Sequence, residues 1–298
     1  MNQETNRAYA GIMAPMVTPF SEGEELDEEA LRRHTDFLID AGVHMLFPVC
    51  TTGEAWALTR EERARVCQIV VDEARGRVPV LAGTGTLTTR ATIDLTKDAQ
   101  DCGVDGVIVV TPYYLTAPTE EDLYRHYVVV ASATSLPVFP YNHPIQSGVS
   151  MSPDLVARLA EVDNIVGMKD GRDLALTIEF IRRTPSSFVV WQGPDNLTFP
   201  GLVVGCAGAI PAVANLAPTL CVELYQAFRS GDWQRAMGAQ EKVSLLRNAL
   251  HLGTFPTALK EAMRMVGMPV GPARRPAGVL STESRHRLQQ VMETVGVL

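Results

Sequence analysis

Short apolar runs rich in Val and Ile alternate along this chain with longer segments whose apolar residues return at helical spacing. The runs are Gly11 to Val17, Met45 to Val49, Val78 to Ala82, Gly106 to Val110, Pro137 to Tyr141, Ile165 to Met168, Phe188 to Trp191 and a short one at Gly208 to Ile210. They are nearly continuous in apolar residues, as strands covered on both faces must be. The segments between them predict helices over Leu26 to Ala41, from Thr59 onward, and over Thr88 to Cys102, Thr119 to Ala133, Ser152 to Glu161, Leu174 to Arg183, about Asn196 to Val204, and Ala217 to Phe228. Asp27, Glu28 and Glu29 suit a helix N-terminus, and Thr59 with Glu62 three residues on forms a capping box. Eight strand–helix units in series predict a closed parallel barrel, an α/β fold of the (β/α)8 TIM type. After Gly231 the rhythm changes. Asp232 to Leu250, Pro256 to Val266 and Ser281 to Val295 read as helices with no strand between them. The expected organisation is a barrel domain over 1–230 followed by a C-terminal helical extension over 231–298.

Composition narrows the classes. The formal net charge is −8, and no clustered Lys and Arg face suggests a nucleic-acid footprint. The basic cluster Arg274-Arg275, before Pro276, reads as a solvated loop. No apolar run approaches the ~20 residues of a membrane span. The polar N-terminus has no signal-peptide pattern. Five cysteines lie scattered at 50, 67, 102, 206 and 221, without CxxC or Cys/His ligand spacing. A reduced, cytoplasmic protein with no metal site is the expectation.

In a parallel barrel the active site gathers where strands end and βα loops begin. Those ends read Thr18-Pro19-Phe20, Thr51-Thr52-Gly53-Glu54, Gly83-Thr84-Gly85, Thr111-Pro112-Tyr113-Tyr114, Tyr141-Asn142-His143-Pro144, Lys169-Asp170-Gly171 and Gln192-Gly193-Pro194-Asp195. They are rich in Thr, Tyr and Gly and poor in His and in paired carboxylates. Divalent-metal and glycosidase chemistry are therefore disfavoured.

Lys169 follows the apolar run Ile165 to Met168. Such a lysine can simply mark the point where a buried strand reaches water. It can also stand in an apolar mouth, where desolvation lowers its pKa and leaves free amine for Schiff-base chemistry on a keto acid. Thr51-Thr52-Gly53 can be a plain turn, or a cradle of hydroxyls and backbone N–H groups for a carboxylate. Tyr141 ends the strand beside the lysine strand, so its phenol can exchange protons in the same mouth. His143 can touch substrate or simply bond to backbone. His34, His44, His126 and His251 carry no assigned role.

Taken in order, these strand-end motifs, together with Gly167-Met-Lys169-Asp170 and Gly208-Ala-Ile210, resemble the dihydrodipicolinate synthase / N-acetylneuraminate lyase family of Schiff-base aldolases. The resemblance runs from about Gly11 to Pro276, and the helical tail fits it. It implies a homotetrameric barrel that needs no cofactor and acts on pyruvate, or a related 2-oxo acid, and an aldehyde. It implies Lys169 as the imine-forming residue, Tyr141 as acid/base, Thr51 and Thr52 as carboxylate ligands, and Ile210 as part of the pyruvate pocket. Tyr114 would be the tyrosine lent by a neighbouring subunit. The sequence departs from the family's synthases after the acid/base tyrosine, where an arginine that binds the aldehyde's carboxylate is replaced by Gln146. A neutral amide cannot reproduce that bidentate pair. Gln146 and His143 would then face the second half of the substrate. The expectation is a lyase that cleaves or forms a C–C bond of a 2-keto(-3-deoxy) acid through a lysine imine. The alternatives are a dihydrodipicolinate synthase using aspartate semialdehyde, a 2-keto-3-deoxy sugar acid dehydratase, and a non-catalytic barrel that binds keto acids.

Overall fold

The computed structural model describes residues 8–298. Its strands are β1 (Gly11–Pro15), β2 (Met45–Phe47), β3 (Leu81–Gly83), β4 (Gly106–Val110), β5 (Val138–Asn142), β6 (Gly167–Asp170), β7 (Val189–Gln192) and β8 (Gly208–Ala209). All pair in parallel, in the order β2-β1-β8-β7-β6-β5-β4-β3. A parallel bridge from Leu46 to Val80 joins the two ends, so the sheet closes into the (β/α)8 barrel that the alternation predicts.

The helices follow in chain order: α1 (Glu28–Asp40), α2 (Arg60–Ala74), α3 (Thr89–Asp101), α4 (Glu120–Ser132), α5 (Pro144–Ser147), α6 (Pro153–Leu159), α7 (Leu174–Arg183), α8 (Thr198–Val203) and α9 (Pro218–Arg229). The C-terminal helices are α10 (Trp233–Ala249), α11 (Thr257–Met265) and α12 (Thr282–Val295). The Thr59–Glu62 capping box forms as expected, and a second one joins Thr119 to Asp122. The short α5 was not expected: His143-Pro144 opens it and Gly148, with φ +73°, ends it after a single turn.

Side chains alternate across the barrel wall. Met13, Met45, Phe47, Leu81, Ile108, Phe139, Tyr141, Val189, Trp191 and Ile210 fill the inside. Ile12, Ala14, Leu46, Ala82, Val107, Val109, Val138, Met168, Val190 and Ala209 pack outward into the main core with the helices. Apart from the polar residues at the C-terminal ends of β5, β6 and β7, both faces of the strands are therefore apolar, which is why the runs look continuous in sequence.

Two expectations are corrected. The lysine strand runs Gly167–Asp170 instead of Ile165 to Met168, so Lys169 lies within it. The Arg274 end of the basic cluster is not a solvated loop. Its guanidinium lies 4.1 Å over the Phe20 ring, pairs with Glu62 at 2.5 Å, and donates to the carbonyls of Glu24 and Ala57. Arg275 does remain exposed and pairs with Glu24. Apolar packing on Phe20 and a nearby carboxylate outweigh the exposure that a basic pair suggests.

Candidate active site

A local irregularity in β6 aims Lys169 into the barrel. Val138 pairs with Ile165, and Tyr141 pairs with Lys169. Between these pairs β5 contributes Phe139 and Pro140, whereas β6 contributes Val166, Gly167 and Met168. The extra residue is a β-bulge. Pro140 has no N–H, so the ladder loses no donor opposite the irregularity. Val166 packs with the inner cluster, and Gly167 faces inward as well: a Cβ there would lie 3.1 Å from Phe139 Cδ1 and 2.4 Å from the Val189 carbonyl oxygen. Met168 then turns outward and Lys169 inward. Strict alternation from the outward-facing Ile165 would have sent Lys169 out toward the helices.

Lys169 is 6% exposed. Its Nζ lies 4.2 Å from the Tyr141 ring centroid and 5.3 Å from that of Phe47. Among the described residues it forms no ion pair. Burial pulls its pKa down to about 8; Cys50 and Asp195 hold it up slightly, and Arg247 opposes them. The neighbouring Asp170 points outward and ties β6 in place. It accepts hydrogen bonds from Asn142 Nδ2 at 2.9 Å and from the Thr177 hydroxyl at 2.7 Å.

The loop after β2 forms the opposite wall. Val49 and Glu54, both with φ +54°, bracket Cys50 to Gly53 in the left-handed region, which is strained for a β-branched residue. The surroundings hold that backbone. The Thr18 hydroxyl donates to the Gly53 carbonyl at 2.7 Å, and Glu54, fully buried, places Oε1 2.6 Å from Lys260 Nζ of α11. Gly53 has no room for a side chain, since a Cβ would sit 2.7 Å from the Met16 carbonyl oxygen. The N–H groups of Thr52 and Gly53 and the Thr52 hydroxyl lie against the Cys50 sulfur. The sequence reading did not include that thiol. Burial raises its pKa, and the nearby Lys169 acts the other way.

Tyr141 is buried on the inner face. Burial raises its pKa strongly, and the nearby Thr51 side chain opposes this only weakly, so the phenol keeps its proton at neutral pH. His143 stacks on the Tyr141 ring with centroids 5.0 Å apart. Burial lowers its pKa to about 4, with Lys169 and Arg247 adding to the effect, so its ring is neutral.

Thr51, Tyr141, His143, Gln146 and Ser147 line one cavity of ≈ 240 Å³, and the Lys169 Nζ stands behind two rings of its wall, those of Tyr141 and Phe47. Ile210 belongs to the same inner cluster as Tyr141, and Thr52 is buried within the loop after β2. Tyr114 is not brought to the cavity. It is 97% exposed with φ +64° and stands out from the surface. One residue that the motif reading passed over does reach the wall. Arg63, on the first turn of α2, lines it beside Trp56 and Tyr113. Its position in an ordinary-looking acidic and basic helix start gave no signal.

The chain matches the model of the "Dihydrodipicolinate synthetase family" over residues 8–295. It is 38% identical over 291 residues to the 4-hydroxy-tetrahydrodipicolinate synthase of Methanopyrus kandleri, covering 97% of each chain. The crystal structure of a dihydrodipicolinate synthase from Bacillus anthracis superposes with a TM-score of 0.93 at 38% identity, over 96% of this chain and 98% of that one. A prophage protein of the same family from E. coli K12, solved in complex with pyruvate, superposes with a TM-score of 0.93 at 34% identity, over 97% of this chain and 99% of that one.

Proposed function

We propose that this chain, which belongs to the dihydrodipicolinate synthetase family of pyruvate-using Schiff-base lyases, carries its chemistry on Lys169. The observation that carries the assignment is a buried lysine with a pKa of about 8 and no ion-pair partner among the described residues, set 4.2 Å from a protonated tyrosine ring.

The free amine of Lys169 attacks C2 of pyruvate and gives a carbinolamine. Loss of water yields a protonated imine, which draws electrons from C3. A proton leaves C3 and an enamine forms. Its C3 attacks the aldehyde carbon, a C–C bond forms, and the aldehyde oxygen takes a proton. Hydrolysis of the imine returns the lysine. The same steps run backwards cleave a hydroxy keto acid. The imine is itself the electron sink, so the scheme requires no cofactor.

Tyr141 gives and recovers the protons at the carbinolamine and aldehyde oxygens, with the Thr51 side chain close to its phenol. Thr51 and Thr52, with the backbone N–H groups of the loop, hold the C1 carboxylate. A thiol sulfur is a weak acceptor, so a carboxylate is the better partner for donors that now face Cys50. Fixing C1 sets C2 against Lys169 and lowers the entropic barrier to attack. Ile210 borders the pyruvate methyl, and His143 and Gln146 face the second substrate. Tyr114 serves the site of a neighbouring copy within a homotetramer. The neutral Gln146 in the wall favours a second reading, in which a 2-keto-3-deoxy sugar acid is cleaved or dehydrated by the same imine.

Borohydride trapping with pyruvate tests the proposal. A reduced pyruvate adduct on Lys169, found by intact mass and peptide mapping, is the expected result. Adducts with longer keto acids alone would move the reading to the sugar acids. No adduct with any keto acid would leave only a barrel that binds keto acids without reacting.

A further inference from the structure

We propose that Asp170 is a positioning residue for the imine chemistry: through the Asn142 amide on the outer face of the barrel it fixes the Tyr141 ring against the Lys169 amine on the inner face. The inference rests on the reading of Lys169 and Tyr141 above and adds the group that holds them together.

Two neighbouring register pairs join β5 to β6, Tyr141 with Lys169 and Asn142 with Asp170. Side chains alternate along a strand, so the first pair faces the barrel interior and the second faces the helices. The outward pair is closed by its side chains: Asn142 Nδ2 donates to Asp170 Oδ1 at 2.9 Å. Each partner is held in turn. Asn142 Oδ1 accepts from the Met151 N–H at 3.0 Å, and Asp170 Oδ2 accepts from the Thr177 hydroxyl of α7 at 2.7 Å. The same hydroxyl lies 3.1 Å from Gln192 Oε1 on β7, so the cluster spans the ends of three strands. Asn142, Asp170, Thr177 and Gln192 are all fully buried.

Burying this carboxylate is costly. Among the described residues Asp170 forms no ion pair, and burial pushes its pKa up while the hydrogen bonds from Thr177 and Asn142 oppose the rise. The outward positions that precede the cluster, Val138, Met168 and Val190, are apolar and pack in the main core. An apolar residue at 170 would continue that packing, so burial alone does not account for the acid. Register does. The bulge interrupts the pairing of β5 with β6, and the two pairs after it aim Lys169 inward. A slip of one residue would turn the lysine out of the barrel. A charge-assisted hydrogen bond between the strand ends is strong and directional, and it locks that register one residue beyond the reacting pair. The Tyr141 ring also rests on the backbone that the clasp holds: a Cβ on Gly171 would lie 3.3 Å from Tyr141 Cε2. The Asp170 charge further helps to keep the phenol protonated.

The test follows the exchange of pyruvate methyl protons in deuterium oxide, which reports enamine formation and needs no aldehyde. Wild type, Asp170→Ala, Asp170→Asn, Tyr141→Phe and the double variant Tyr141→Phe/Asp170→Ala are compared, each checked by thermal melting. Asp170→Ala is expected to lower kcat for exchange about a hundredfold, with the KM for pyruvate changing far less. Asp170→Asn still offers Asn142 an oxygen and is expected to regain about tenfold of that loss. In the Tyr141→Phe background Asp170→Ala is expected to cost little more, because it acts through the tyrosine. Losses that multiply across the two sites, or a wild-type kcat for Asp170→Ala, would overturn the assignment. So would an Asp170→Asn enzyme no faster than Asp170→Ala. Should Asp170→Ala fold poorly, Asn142→Ala opens the same clasp from β5 and is held to the same outcomes. Borohydride trapping of pyruvate on the wild type separates the two claims. Trapping with losses that multiply refutes only the role of Asp170, whereas no trapping refutes the imine reading and the inference with it.

Discussion

Lys169 and Tyr141 are register partners on adjacent strands, and the ammonium of one stands 4.2 Å from the ring centroid of the other. The pair places a neutralisable amine beside a phenol that holds its proton, both largely buried. Each property comes from burial, which disfavours ammonium and phenolate alike.

That relationship fixes a pH dependence. With a pKa of about 8, roughly one lysine in ten is free amine at pH 7; at the ordinary value of 10.5 the fraction would be about one in three thousand. The rate of borohydride trapping with pyruvate is expected to rise with pH and level off above about 8. Continued rise to pH 10 would show that Lys169 is not desolvated.

The same burial opposes folding. A lysine with a lowered folded-state pKa is destabilising below about pH 8, where the unfolded chain holds its proton freely. The penalty fades as pH rises toward 10.5, because the unfolded chain then binds more protons than the folded one. It amounts to about 3 kcal/mol at neutral pH. Lys169→Met is therefore expected to abolish activity and to stabilise the fold in urea at pH 7, with a smaller gain at pH 9.5. A loss of stability at pH 7 would contradict this account.

Glu54 holds the strained loop to α11 through Lys260, and both side chains are buried. Glu54→Gln leaves the Lys260 charge without its counter-charge, at a cost of about 3–5 kcal/mol. It should also raise the KM for pyruvate, because Thr51 and Thr52 depend on that anchor. The double variant Glu54→Gln/Lys260→Met should regain much of the stability. Chemical unfolding of the full cycle reads the coupling, and simple additivity would show that the pair does not act as a unit.

Tyr114 is held outward in a left-handed backbone conformation that costs on the order of 1–3 kcal/mol. The proposed role in a neighbouring copy would give that conformation a purpose. Specific activity is expected to fall as the protein is diluted through dissociation, and Tyr114→Phe should lower kcat without shifting the melting temperature. Activity that stays constant as sedimentation shows monomers would remove Tyr114 from the site.

Tyr141→Phe keeps the ring that Lys169 faces and removes only the proton donor. A fall in kcat of about a hundredfold or more is expected, with pyruvate still trapped on Lys169 at a reduced rate. Wild-type turnover by the variant would assign the proton transfers elsewhere.

Much of this molecule was legible in one dimension. Strands buried on both faces leave continuous apolar runs, so the eight runs and the helices between them announced the barrel and its order. The Thr59–Glu62 box formed because capping is a local interaction of four residues. The strand-end motifs were readable for a similar reason: a parallel barrel gathers every strand's C-terminal end at one mouth. The single turn of α5 and the burial of Arg274 on Phe20 were not legible. The first is too short to show a period, and the second depends on a residue far away in the chain.

The sequence by itself determined which strand ends meet at the barrel mouth, and so which residues are candidates for the chemistry. Tertiary structure alone decided where the key side chains point. Alternation counted along Ile165 to Lys169 turns the lysine outward. It faces inward because β6 takes an extra residue against β5, where Pro140 offers no N–H and Gly167 has no Cβ to strike Val189. Tertiary packing likewise brought Arg63 into the wall and the Cys50 sulfur under the Thr52–Gly53 donors. These are contacts between strands and loops distant in the chain, and a linear pattern carries no record of the register in which its segments meet.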